Sequence, residues 1–165
     1  YQMLQSLSDL ENEIDYLVVD TPAGASESSL FFASAVDVPL VVLVAEPTSF
    51  LDAYAFIKAA HIEKNIQNFS VVVNMADGSA AAKTNFDKFF EICRRFLDVN
   101  LHYAGMIPMS QAIRRSIVKR APIATGQPSS PEAKAFTALA KKMVNAPLNT
   151  HDGIRFFHRH VEAKS

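Results

Sequence analysis

The chain has 165 residues, of which 49% are hydrophobic, and 16 basic and 17 acidic side chains give it a formal net charge of −1. A chain of this length buries enough apolar surface to fold as one globular domain without a disulfide or a structural metal. The near-neutral charge disfavours a general nucleic-acid-binding protein, and a single cysteine excludes an internal disulfide and is typical of a reducing compartment.

The first half of the chain alternates helical periodicity with short apolar runs. Apolar residues at spacings of three and four predict a helix over 2–13, which leads into a strand over 16–20. A second strand is predicted over 38–45, and both strands are apolar at consecutive positions, as in parallel strands buried on both faces. The run Glu46-Pro47-Thr48-Ser49 ends the second strand, and either of its hydroxyl residues can cap the following helix.

The second half repeats the same alternation. Strands are predicted over 69–73 and 101–107, and the helix between them carries an aromatic stripe that we interpret as core. This stripe consists of Phe86, Phe89, Phe90, Cys93, Phe96 and Leu97. After the last strand, Ile113 and Ile117 are expected to anchor a helix.

A final helix is predicted to start at a serine cap, Ser129 or Ser130, with Pro131 in its first turn. Alternating helices and doubly buried strands predict an α/β fold with a parallel sheet and helices on both faces. Because such sheets bind ligands at the carboxyl ends of their strands, a site is expected among four segments. They are residues 20–24, 46–52, 74–77 and 108–110.

Two of these segments carry groups that suit a nucleotide. Asp20 closes an apolar strand, the position of a Mg²⁺-binding carboxylate in nucleotide hydrolases, although an Asp there can also simply cap a helix. Gly24 lets the backbone approach a phosphate closely, and its N–H can donate to a terminal phosphate oxygen. Asn74 suits a purine edge because its amide both donates and accepts, although it can instead make a local turn bond.

The sequence carries a candidate motif for binding the base of a nucleotide but none for binding its phosphates. Asn74 and Asp77 have the spacing of an Asn-Lys-x-Asp guanine motif, but Met75 replaces the lysine, which favours adenine. The five glycines occur singly and no Gly-Lys pair is present, so the chain holds no phosphate-binding P-loop of its own.

Several segments together resemble the MinD/ParA class of deviant-Walker ATPases. Asp15-Tyr16-Leu17-Val18-Val19-Asp20-Thr21-Pro22-Ala23-Gly24 resembles the switch II segment of that class. Further segments are similar to the flagellar-number regulators within it, the FlhG/FleN branch, and the similarity runs from about residue 1 to residue 145. These segments are Glu46-Pro47-Thr48-Ser49, Asp52-Ala53-Tyr54-Ala55, Asn74-Met75, Arg95-Phe96-Leu97-Asp98-Val99 and Gly105-Met106-Ile107-Pro108.

The resemblance implies a role for individual residues. Asp20 would act on Mg²⁺, through water, and on the attacking water, while Gly24 would contact the γ-phosphate of ATP. Asn74 would read adenine, and Pro108, Met109 and Ser110 would line the base pocket. Family members commonly carry Asp at the position of Ser110. Pro22 and Asp52 would belong to the switch and the dimer face.

The resemblance also implies that the P-loop lies on a strand upstream of Tyr1, between the strands 16–20 and 38–45. Residues 1–147 are therefore expected to be the C-terminal part of a MinD-like ATPase domain, followed by a linker and tail over 148–165. The tail resembles a short amphipathic membrane-targeting helix, and a solvated tail is the alternative. Its membrane-contacting residues would be Ile154, Phe156, Phe157 and Val161.

The function implied by the resemblance is that of an ATPase switch that regulates flagellar number or placement. It would cycle between a cytoplasmic monomer and an ATP-bound homodimer on the inner face of the membrane, with a flagellar GTPase or flagellar regulator as partner. Two alternatives remain open. One is a non-catalytic partner-binding module of the same fold. The other is a different member of the class, a ParA-like partition ATPase or a cobyrinate-synthase-like amide ligase.

A basic patch lies on the helix that is predicted to follow the strand over 101–107, and it bears on these alternatives. DNA binding by this patch would favour a partition ATPase, although we interpret it as a solvated helix face that could also dock an acidic partner. The patch consists of Arg114, Arg115, Lys119 and Arg120.

Overall fold

The computed structural model describes residues 13–149 and residue 156. The helix predicted over 2–13 therefore lies outside the described residues, apart from its last position. Within the described part, six helices alternate with three strands. In chain order they are α1 (Glu27–Ala35), β1 (Leu40–Val44), α2 (Pro47–Lys64), β2 (Asn68–Ala76), α3 (Ser79–Phe96), β3 (Asn100–Pro108), α4 (Gln111–Val118), α5 (Ile123–Gly126) and α6 (Pro131–Val144).

The three strands form one parallel sheet in the order β1-β2-β3. Leu40 pairs with Ser70 at one end of the β1–β2 ladder, and Asn68 pairs with Asn100 at the start of the β2–β3 ladder. The strands predicted over 38–45, 69–73 and 101–107 are thus confirmed, with shifted ends. Consecutive apolar residues predicted them well because β2, the central strand, is buried on both faces.

The main core lies between one face of the sheet and the helices α2 and α3. Phe50 and Phe89, one from each helix, meet edge to face with ring centroids 5.5 Å apart. Phe86 lies 5.1 Å from the ring of Tyr103 on β3. The largest fully buried side chains of this cluster are Leu43, Ile57, Ile66, Phe69, Val71, Val73 and Phe89.

The opposite face is covered at β3, where α6 packs. Helices therefore lie on both faces of the sheet, which confirms the predicted α/β class. On this face Val72 and Ala104 are buried, whereas Leu40 and Val42 on β1 are 37% and 55% exposed. The β1 end of this face is thus the open part of the described sheet.

The strand predicted over 16–20 is wrong. These residues are not assigned to a strand and join no ladder of the three-stranded sheet. They retain the alternation of an extended segment, because Leu17 and Val19 are half-buried whereas Tyr16 and Val18 are 66% and 90% exposed. An apolar run becomes a strand only where a neighbouring strand satisfies its backbone groups.

The starts of three helices can be compared with the sequence prediction. The N-cap of α2 is Glu46, and Ser49 instead accepts a hydrogen bond from the Val44 N–H at 2.9 Å. The helix α1 was not predicted, because apolar residues follow one another along it without helical periodicity. At α6 the prediction is confirmed, since Ser130 caps the Ala133 N–H and Pro131 occupies the first turn.

The predicted apolar stripes are only partly buried. Phe86, Phe89 and Cys93 lie in the core as predicted, and burial raises the pKa of the Cys93 thiol to about 12. Phe96 is 67% exposed and Ile117 is 69% exposed, so the roles predicted for these two residues in the core are wrong. Each lies in the last turn of its helix.

The two phenylalanines of α3 provide a matched test of this core. We expect Phe89→Ala to lower the free energy of unfolding by about 3–5 kcal/mol, because it empties a fully buried site. Phe96→Ala, on the same helix, is expected to change it by about 0.5 kcal/mol or less because the ring is exposed. Urea unfolding measures both, and equal losses would contradict this packing.

Candidate functional site

The carboxyl end of β2 is irregular, and the irregularity presents Asn74. The β2–β3 register shifts between Val73 and Ala76, and Met75 adopts a left-handed backbone with φ of 52°. The Asn74 side-chain oxygen accepts the Met75 N–H at 2.9 Å, which is the local bond that sequence analysis offered as its alternative. That bond uses the carbonyl end of the amide, so the NH₂ group can still serve a ligand.

The end of β3 is tied to this irregular turn. Ala76 pairs with Pro108, and the Met109 N–H donates to the Ala76 carbonyl at 3.0 Å. Asn74 and the segment 108–110 therefore lie at the same edge of the sheet, on neighbouring strands, as predicted. Met109 is 60% exposed, whereas Pro108 is half-buried.

Ser110 is held from two sides. Its hydroxyl oxygen caps α4 by accepting the Ala112 N–H at 3.1 Å, and its O–H donates to Glu132 Oε1 at 2.5 Å. The hydrogen bond from Ser110 is the main reason that the pKa of Glu132 lies below its usual range. Glu132 lies in the first turn of α6, 22 residues from Ser110, so no local sequence pattern links the two residues.

The predicted switch segment is attached to α1 by two serines. Ser29 is 1% exposed, and its hydroxyl donates to the Pro22 carbonyl at 2.9 Å. Ser26 caps α1 by accepting the Ser29 N–H at 3.2 Å, and the two hydroxyl oxygens lie 2.8 Å apart. Ser29 was missed by sequence analysis, although Ser26 is of a residue type that is preferred at a helix start.

Asp20 and Gly24 flank Pro22 on this segment. Gly24 has φ of +91°, a conformation that favours glycine, and a Cβ placed there would meet no atom within 4 Å. The glycine is therefore needed for the backbone conformation, and the space beside it is open to a ligand. Asp20 is solvent-exposed.

The donor set suits Mg²⁺ bound mainly by phosphate and water. Within residues 13–149 no three His, Cys, Asp or Glu side chains converge on a metal site. Mg²⁺ at nucleotide sites keeps several waters and uses only one or two carboxylates. A single exposed carboxylate such as Asp20 fits that requirement, and Asp20 is the residue that would hold the ion. Asp52, the other predicted acid, is exposed on α2.

A sequence profile of the ParA family, described as NUBPL iron-transfer P-loop NTPase, matches residues 2–144. Antiactivator FleN of Pseudomonas aeruginosa is 36% identical over 157 residues, which are 94% of this chain. The chain belongs to the MinD/ParA class of P-loop NTPases, in the branch that includes FleN. The flagellum site-determining protein YlxH of Helicobacter pylori is 29% identical over 110 residues.

Solved structures of the MinD/ParA class share this fold. The MinD cell division protein of Aquifex aeolicus gives a TM-score of 0.70 at 20% identity, covering 90% of this chain and 61% of that protein. The cell division ATPase MinD of Pyrococcus furiosus gives 0.63 at 22% identity, with 87% and 57% covered. The chain spans 56% of FleN and 37% of YlxH.

One residue of the predicted tail is packed on the MinD-like domain. Phe156 is 5% exposed, its N–H donates to the Ala35 carbonyl at 3.2 Å, and its ring stacks on Phe32 with centroids 6.0 Å apart. Leu17 and Val19 pack against the same small cluster. The other predicted membrane-contacting residues, Ile154, Phe157 and Val161, lie outside the described residues.

Asn149 also lies beyond residue 147 and is 3% exposed. Its side chain accepts the Asn68 N–H at 2.9 Å and donates to the Asn68 carbonyl at 2.8 Å, at the start of β2. None of the helices in the described part combines the length and the apolarity that crossing a bilayer requires.

The attachment of the switch segment is tested by removing one hydroxyl. Ser29→Ala leaves the Pro22 carbonyl without its buried donor, so we expect it to lower the free energy of unfolding by about 1–3 kcal/mol. The neighbouring Ser28→Ala, at an exposed position, is expected to change it by about 0.5 kcal/mol or less. Thermal or urea unfolding measures both, and a neutral Ser29→Ala would contradict this attachment.

Proposed function

We propose that this chain is the C-terminal part of a MinD-type ATPase that regulates flagellar number or placement. Residues 1–147 then belong to the ATPase domain, and residues 148–165 form a linker and a membrane-targeting tail. The relative YlxH is a flagellum site-determining protein, which supports the flagellar role, and the relative FleN is an antiactivator, which supports a regulatory one.

The observation that carries the proposal is the joined edge of β2 and β3. The Met109 N–H to Ala76 bond holds Asn74 and Ser110 on neighbouring strand ends, where α/β sheets bind their ligands. Both residues offer polar groups suited to the edge of a purine. The exposed Met109 supplies an apolar surface beside them, which suits the face of a base. We therefore assign the base pocket to Asn74, Pro108, Met109 and Ser110.

The predicted switch segment, which is bonded to α1 through Ser29, supplies the phosphate-binding part of the proposed site. Asp20 would hold Mg²⁺ through water and orient the attacking water, and the ion would neutralise charge on the phosphates of ATP. Gly24, in an open loop, would donate its N–H to a terminal phosphate oxygen. Because Ser29 ties this loop to α1, a change at the terminal phosphate would be transmitted to that helix.

The phosphate loop itself must come from outside residues 1–165, since they contain no Gly-Lys pair. We propose that a strand bearing that loop pairs with β1. Among the described residues β1 has one neighbour, β2, and its Leu40 and Val42 side chains are partly exposed. An open apolar edge of this kind favours the addition of a strand.

We further propose a cycle between a cytoplasmic monomer and an ATP-bound homodimer, with Pro22 and Asp52 at the switch and dimer face. Asp52 is exposed on α2, as a residue at such a face must be. A flagellar GTPase or a flagellar regulator is the proposed protein partner. The tail, through Ile154, Phe157 and Val161, would bind the inner face of the membrane in the dimer. Phe156, predicted as a fourth contact, is instead 5% exposed and packs on Phe32.

The carboxylate of Asp20 is tested in the full-length gene product. We expect Asp20→Asn to leave the Kd for ATP within a few-fold of wild type and to lower ATP turnover by about 10²-fold or more, because it removes the charge that orients water and Mg²⁺. Asp15→Asn, another exposed acid of the same segment, is the control and should keep its turnover. Full turnover in Asp20→Asn would contradict the assigned role.

The tail is tested by cosedimentation with vesicles of anionic phospholipid. We expect the full-length protein to bind them in ATP and Mg²⁺, and a protein that ends at Asp152 to lose that binding. This truncation keeps Asn149 and its bonds to Asn68 but also removes the buried Phe156, so thermal unfolding checks that the domain is retained. Vesicles of zwitterionic lipid are the control. Equal binding by the truncated protein would contradict a membrane-targeting tail.

A non-catalytic partner-binding module of the same fold is the second candidate. Equilibrium dialysis of the full-length gene product with ATP and Mg²⁺ separates the two. Saturable binding supports the ATPase, and the absence of binding supports the module.

A further inference from the structure

The base edge of the proposed site contains one hydroxyl whose proton is already committed. The Ser110 O–H donates to Glu132 Oε1 at 2.5 Å, and its oxygen accepts the Ala112 N–H at 3.1 Å. Glu132 is placed by the start of α6, where Ser130 caps the helix and Pro131 occupies its first turn. The contact therefore joins side chains that stand at two helix starts.

A serine hydroxyl has one proton and two lone pairs. The lowered pKa of Glu132 means that its carboxyl group is ionised near neutral pH, and an ionised carboxylate only accepts hydrogen bonds. The single Ser110 proton is thus taken by Glu132, and one lone pair is taken by Ala112. What Ser110 can offer to a ligand is its remaining lone pair.

We propose that Glu132 is a positioning residue that makes Ser110 an acceptor-only group and thereby selects a 6-aminopurine nucleotide over a 6-oxopurine nucleotide. The inference rests on the proposed function, because it specifies the base that the same site takes. An exocyclic amino group donates to the Ser110 lone pair. A 6-oxo group brings a second lone pair to it, and the two oxygens repel.

The carboxylate at the base edge thus belongs to α6, a different element from the one that carries Ser110. The resemblance to the FlhG/FleN branch implies an acid where this chain has Ser110. Here the acid comes from α6, through the Ser110 hydroxyl. The helix start of α6 can also explain an acid at this position, because Glu132 lies next to the positive end of that helix. If Glu132 only stabilises the helix, its removal leaves the preference between the two bases unchanged, whereas a selective role changes that preference.

The test compares ATP with inosine triphosphate, whose base has a 6-oxo group and an N1–H where adenine has a 6-amino group and an N1 acceptor. The Kd of each is measured on the full-length gene product with Mg²⁺, and the readout is the ratio of the two values. Glu132→Ala frees the Ser110 proton to donate to a 6-oxo group. We expect it to lower the preference for ATP by about tenfold, the usual effect of one hydrogen bond to a charged or polar partner.

Two further variants and a control sharpen the test. Glu132→Gln should give an intermediate ratio, because its amide can either accept from Ser110 or donate to it. Ser110→Ala should weaken ATP binding without weakening inosine triphosphate binding, because it removes both the acceptor for a 6-amino group and the lone pair that repels a 6-oxo group. Glu63→Gln removes an exposed acid from α2 and should keep the wild-type ratio. Thermal unfolding of each variant reports any loss of structure.

The outcomes separate this inference from the proposed function. A lowered ratio in Glu132→Ala with an unchanged ratio in Glu63→Gln supports it. If the wild-type protein binds ATP and Glu132→Ala keeps the wild-type ratio, the inference is overturned and the proposed function stands. If the wild-type protein binds neither nucleotide, both are overturned.

Discussion

Burial of β2 on both faces is the constraint on which the described structure depends. Phe69, Val71 and Val73 are fully buried against α2 and α3, and Val72 is 2% exposed on the other face. A strand buried in this way must satisfy its backbone through parallel neighbours on both sides, which β1 and β3 provide. The same pairing brings the carboxyl ends of all three strands to one edge of the sheet.

The proposed base site occupies the point where that regular pairing stops. A left-handed backbone at Met75 is costly for a residue with a side chain, of the order of 1–3 kcal/mol, and persists only where surrounding contacts enforce it. The Ala76–Pro108 pairing and the Met109 hydrogen bond are such contacts. A rigid ladder thus supports a strained turn directly after Asn74, and bulges of this kind often lie next to functional sites.

Local patterns predicted the elements more successfully than they predicted what joins them. The three ladder strands, α3 and the Ser130 cap follow from apolar runs and cap residues in their own segments. Residues 16–20 carry the same apolar run as a strand, yet form no ladder, because pairing depends on a neighbour elsewhere in the chain. The Ser110–Glu132 contact was likewise invisible, since it joins two helix starts through tertiary packing. The strand ends located the candidate site, and the structure added the side chains that orient it.

In the proposed site, one nucleotide spans two parts of the molecule that are anchored separately. They are the switch loop, which is bonded to α1, and the joined ends of β2 and β3. A crystal structure of the full-length gene product with Mg²⁺ and a non-hydrolysable ATP analogue tests this most directly. We expect the adenine to lie between Asn74 and Ser110 and the terminal phosphate to accept a hydrogen bond from the Gly24 N–H. A nucleotide bound elsewhere, with these two groups facing solvent, would contradict it.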